Sequence, residues 1–70
     1  MEDIKELGKY IQSIRKAEGL TQDELAERLG KAKMTITHYE GGRNNLTFNS
    51  IKAIANALGY DVDLYFKKKP

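Results

Sequence analysis

Ile4, Leu7, Ile11 and Ile14 recur at intervals of three and four and place one apolar stripe on a helix of about four turns. Asp3 followed by Glu6 has capping-box spacing, with Asp in the place of the more usual Ser or Thr. Gly19 supplies a left-handed residue to end the helix, which is predicted over about 4–18. Gly8, inside that span, either weakens the helix or permits a close approach by a neighbour. Thr21 and Glu24 repeat the capping signal just before Leu25, Ala26 and Leu29, which predicts a second helix over 22–29 with Gly30 after it. A third, barely two turns long, is predicted over 33–40, closed by Gly41 and Gly42 and ordered by packing of Ile36 and Tyr39. Thr47 is a good N-cap for a fourth over 48–58, carrying Phe48, Ile51, Ile54, Ala55 and Leu58 before Gly59.

From Tyr60 the period changes. Val62, Leu64 and Phe66 alternate with Asp61, Asp63, Tyr65 and Lys67, the period-two signature of a strand over about 61–66. A lone strand leaves its backbone donors and acceptors without a ladder, and the simplest partner is the same strand of a second copy. The expected architecture is therefore an all-α four-helix domain spanning 1–70. Val62, Leu64 and Phe66 form its dimer strand, pairing across a homodimer, and residues 67–70 make a charged tail.

Composition narrows the chemistry. With 70 residues there is room for one small core. The absence of Cys and the single His exclude disulfide frameworks and the usual zinc arrays, so no metal and no cofactor are expected. No secretory signal or bilayer-spanning run is expected either, which points to the cytoplasm and to no membrane partner. Net charge is only +2, yet it is unevenly spread. Residues 1–30 carry five bases against seven acids, whereas residues 31–52 carry Lys31, Lys33, Arg43 and Lys52 against Glu40 alone. Positive charge thus gathers around the third helix and the loop after it, where a phosphate backbone would release counterions on binding.

The second and third helices, with small Ala26 inside the first of them, Gly30 at the bend, and Ile36 and Tyr39 on the inner side, have the spacing of a helix-turn-helix. GLTQDELAERLG followed by KAKMTITHYEGG, a polar loop and SIKAIANALG resembles the Cro and phage-repressor (XRE) family of such domains over residues 4–59. The added DVDLYF resembles the HipB-like variant with a C-terminal dimerisation strand. The resemblance implies that Lys33, Met34, Thr37 and His38 face base edges, and that Thr21, Gln22, Arg43 and Asn45 hold phosphates. It also implies a partly buried ion pair between Arg15 and Glu40, serving orientation more than net stability. Three departures stand out: Lys31 replaces the usual apolar residue after the bend, Ala32 the usual hydroxyl cap of the third helix, and Leu46 a common Pro.

The expected function is a sequence-specific binder of double-stranded DNA, a transcriptional repressor acting as a homodimer on a palindromic operator, with no enzymatic activity. One alternative is an antitoxin that binds a toxin protein and represses its own operon. Another is a protein-interaction module that keeps the fold without binding DNA. Single residues carry plainer readings beside these. Met34 could fill a core gap, Tyr39 belongs to the core more than to a stacking platform, and Thr37 could be an ordinary solvent-facing residue. Asp61 and Asp63 read as outward solvating charge rather than metal ligands.

Overall fold

The computed structural model describes residues 3–70 and contains four helices: α1 (Ile4–Ala17), α2 (Gln22–Leu29), α3 (Lys33–Glu40) and α4 (Phe48–Leu58). Local chemistry sets their starts. The Asp3 carboxylate accepts from the Glu6 amide at 2.8 Å, the Thr21 hydroxyl from the Glu24 amide at 3.1 Å, and the Thr47 hydroxyl from the Ser50 amide at 3.0 Å. At α2 the box is closed in both directions, because the Thr21 amide donates to the Glu24 carboxylate at 3.0 Å. Only α3 lacks such a bond: Ala32 occupies its N-cap and has no side chain to offer.

Ile11, Leu25, Ala26, Ile36, Ile54 and Leu58 form the buried core, with one or two residues from each helix. Leu25 and Ile36 are fully enclosed. Truncating either to Ala falls in the class of core changes that cost about 2–5 kcal/mol. Leu7, Ile14, Leu20, Leu29, Tyr39 and Leu46 pack around this centre. α2 packs on α3 and α4, and α1 packs on α3.

Two glycines decide how close those elements come. At Gly8 an added Cβ would lie 2.5 Å from the Glu40 carbonyl oxygen and 2.6 Å from that of Tyr39, so α1 crosses the end of α3 backbone against backbone. The close-packing reading of Gly8 is the one the structure bears out. Gly30, at φ 65°, turns the chain out of α2 while its own amide donates to Glu27 and that of Lys31 donates to Ala26.

The expected strand over 61–66 is corrected. Residues 60–70 carry no regular secondary structure, and no strand is found among the described residues. The physical reason is the one that made a partner necessary: a strand is defined by its ladder bonds, and this single chain holds no second strand to supply them. Of the three residues assigned to a dimer strand, Val62 is half-buried, while Leu64 and Phe66 are 67% and 94% exposed. Val62 lies beside an apolar groove of about 110 Å³ between α1 and α4, lined also by Leu7, Tyr10, Ile14, Ile51 and Tyr60. Tyr60 ties the start of the tail to α1 by donating its hydroxyl to Glu18 at 3.0 Å. That bond to a carboxylate raises the Tyr60 phenol above its ordinary value of 10.0. Among the described residues, no helix is long and apolar enough to cross a membrane.

Candidate nucleic-acid interface

Burial divides α3 into two faces. Ile36 and Glu40 are buried and Tyr39 is half-buried against the core, while Lys33, Met34 and Thr37 are exposed on the other side. These three share one surface because Lys33 and Met34 lie four and three residues before Thr37, the spacings that bring side chains together along a helix. Met34 is 62% exposed, which removes its core-filling reading. His38 is half-buried at the edge of the face, and its carbonyl accepts from the Arg43 amide at 2.9 Å, so the loop begins folded back on the helix end. Arg43 and Asn45 are exposed in that loop, beyond the opposite end of α3 from Lys33.

The face is braced from behind by an ion pair. Arg15 Nε donates to Glu40 Oε2 at 2.6 Å and Arg15 Nη2 to Glu40 Oε1 at 3.0 Å. Arg15 Nη1 donates to the Leu20 carbonyl at 2.6 Å. The two residues are only 6% and 7% exposed, so this fork joins α1 to the last residue of α3 out of water's reach. It is buried more deeply than the sequence led us to expect. Among the described residues that are not exposed, no buried side-chain polar atom lacks a hydrogen-bond partner. That completeness is what makes a buried pair tolerable.

Thr21 and Gln22 stand at the start of α2, beside the outward face of α3. The hydroxyl and amide of Thr21 both serve the capping box. That box, chiefly its backbone N–H bond, holds the Glu24 carboxyl below its ordinary 4.5. Gln22 is less free than a phosphate ligand need be. Its Nε2 donates to Glu40 Oε1 at 3.1 Å, and its Oε1 accepts the Thr37 hydroxyl at 2.9 Å. One amide hydrogen remains for an outside acceptor. Lys33 lies 4.0 Å from the Asp23 carboxylate, both side chains largely exposed, a contact worth at most about 1 kcal/mol and easily exchanged for a phosphate.

The bend also shows the cost of Lys31. A notch of about 230 Å³ opens between the turn and α4, lined by Leu29, Lys31, Tyr39, Asn49, Ala53 and Ile54. It is the space that an apolar side chain after Gly30 would cover. Sequence reasoning anticipated the weak cap and the missing apolar residue but not the amide bridge. The only local signal for that bridge was a Gln at the first position of α2, because Gln22 and Glu40 are 18 residues apart.

A family model described as helix-turn-helix matches residues 11–65. The chain belongs to the Cro/C1-type helix-turn-helix family. It is 33% identical over 61 residues to an uncharacterised helix-turn-helix transcriptional regulator of Rickettsia conorii, covering 87% of this chain and 49% of that one. Over 56 residues it is 36% identical to the immunity repressor of Bacillus phage phi105, covering 80% of this chain and 39% of the repressor. Among solved structures, a chain of a HipA–HipB–O2–O3 complex superposes with a TM-score of 0.78 at 26% identity, over 97% of this chain and 96% of that one. The chain spans about half the length of the curated relatives it matches.

Proposed function

We propose that the protein is a sequence-specific, double-stranded DNA-binding transcriptional regulator, and that it acts as a repressor by occupying an operator in the cytoplasm. The observation that carries this reading is the exposed face of Lys33, Met34 and Thr37, held by a buried ion pair on the second helix of a helix-turn-helix. In this reading α3 enters the major groove. Lys33, Met34, Thr37 and His38 meet base edges, while Thr21, Gln22, Arg43 and Asn45 grip phosphates. Family membership and the likeness to a phage immunity repressor support it.

A second copy belongs to the proposal. One helix of two turns reads few base pairs, and two such helices about 34 Å apart would read a palindrome. The exposed Leu64 and Phe66, alternating with polar residues, supply a surface for pairing of tails across a two-fold axis.

The deciding experiment measures affinity for duplex DNA against salt, then selects preferred duplexes from a random pool. We expect affinity to fall steeply as salt rises, with Arg43→Ala weakening all sequences alike and lowering the salt slope by about one. Lys33→Ala and His38→Ala should each relax preference at one position per half-site. Absence of low-salt binding sinks the proposal. Sedimentation of Leu64→Asp with Phe66→Asp, expected to shift a dimer to monomer, tests the second copy.

One observation favours a further reading, that of a regulator that also binds a second protein. The likeness to the chain in the HipA–HipB–O2–O3 complex runs along nearly its whole length. Co-purification with the product of the neighbouring gene is the expected sign, and failure of the two to associate when co-expressed would remove this reading.

A further inference from the structure

The hydrogen bonds around Glu40 run in one direction. Arg15 donates to both carboxylate oxygens, and Gln22 Nε2 donates to Oε1. A carboxylate facing a guanidinium only accepts, so the Gln22 amide cannot turn over: reversal would set its oxygen against that of Glu40. Gln22 Oε1 is therefore committed to Thr37, and between two oxygens the hydrogen must come from the hydroxyl. The other acceptor within reach of Thr37 Oγ1 is the Lys33 carbonyl at 3.3 Å, which again can only accept. In either arrangement the single hydroxyl hydrogen of Thr37 is directed back into the protein.

We propose that Gln22 is a positioning residue for base recognition: it holds the Thr37 hydroxyl as a spent donor, so Thr37 meets DNA with its methyl group and selects thymine. This rests on the DNA-binding reading. In the major groove the guanine N7 and O6, the adenine N7 and the thymine O4 all require a donor, which Thr37 no longer has. The amino groups of adenine and cytosine can still meet a Thr37 lone pair, and selection of either at this position in place of a methyl-sensitive thymine overturns the proposal. The C5-methyl of thymine requires only an apolar surface, and the exposed Thr37 supplies one. The orientation of the reader is thus set from the molecule's interior, beginning at Arg15 and passing through Glu40 and Gln22.

The test removes one methyl from the DNA. In the duplex selected from a random pool by the wild-type protein, each thymine of one half-site is replaced in turn by deoxyuridine, which changes nothing but the C5-methyl. At one position the wild type should lose roughly fourfold in affinity, the worth of one buried methyl-sized group. Thr37→Val, which keeps a methyl and drops the hydroxyl, should lose the same. Thr37→Ser, which does the reverse, should be indifferent to the replacement at that position. Gln22→Met leaves the hydroxyl only the longer 3.3 Å contact to the Lys33 carbonyl, a weaker hold that a base acceptor can displace. It should broaden base preference there, and should have no such effect in the Thr37→Val background. Preference retained by Thr37→Ser and lost by Thr37→Val overturns the proposal, as does a broadening by Gln22→Met that persists without the hydroxyl. A selected duplex with no methyl-sensitive position tied to Thr37 overturns it while leaving the DNA-binding reading intact. Failure of the wild type to select any duplex removes both.

Discussion

Arg15 and Glu40 carry charge through a core otherwise made of Leu, Ile and Ala, and their value lies in being matched. Arg15→Met leaves Glu40 with the Gln22 amide as its sole remaining side-chain donor, a buried carboxylate that has lost its counter-charge. The expected loss is about 3–5 kcal/mol by urea unfolding, a large part of the stability of a domain this size. Replacing both, Arg15→Met with Glu40→Leu, should restore most of that loss, because no charge is then stranded. If the double variant is as unstable as the single one, the pair contributes more than mutual compensation. The double variant should also bind DNA with altered preference even when well folded, because Gln22 has lost the group that orients its amide. The existence of this pair was legible in the family pattern. Its depth, and the third donor that joins it from α2, depended on how three separate helices converge, which no local pattern encodes.

At the scale of elements, the helices were legible to within a residue of their observed ends because their signals are local: a hydroxyl or carboxylate three residues before the amide it serves, and glycines just beyond. The same logic identifies α3 as the helix with an open start. Ala32→Ser should supply the missing acceptor to its first turn, raising stability by about 1 kcal/mol and slowing hydrogen exchange at the amides of Met34 and Thr35. An unchanged exchange pattern would mean that tertiary packing already holds the turn. α2 offers the opposite case, a capping box that titrates. Glu24 has a folded value below 4.5, so its stabilising effect is present above that pH and is lost as pH falls through the lower folded value. Acid should therefore loosen the first turn of α2 below about pH 4.5, followed by the amide signals of Asp23 and Glu24; Glu24→Gln, which accepts the same bond without titrating, should abolish that step. The tail was the element that sequence periodicity overstated. Alternation reports which faces residues would take within a sheet, and it does not supply the neighbouring strand.

The molecule as a whole is tight on one side and open on another. Where α1 meets α3, Gly8 brings the backbones together with no space to spare; where the turn meets α4, Lys31 leaves a notch of about 230 Å³. Lys31→Leu should cover Leu29, Tyr39 and Ile54 and raise thermal stability, with the gain of about 1–2 kcal/mol expected when part of a Leu side chain is buried. No gain would show that the lysine's own hydrocarbon stem already fills the space. The long axis of the molecule, 42 Å against 23 and 21 Å, reflects how far the chain extends beyond its packed helices. Leu64, Tyr65 and Phe66 lie outside the core that their own chain can build. Under the proposed pairing of two copies through Leu64 and Phe66, abundance becomes a control variable. Well below the concentration at which chains pair, doubling the protein roughly quadruples the number of dimers. A gene held by such a protein would respond to changes in regulator dosage more steeply than in proportion, before any effector or change in affinity is involved.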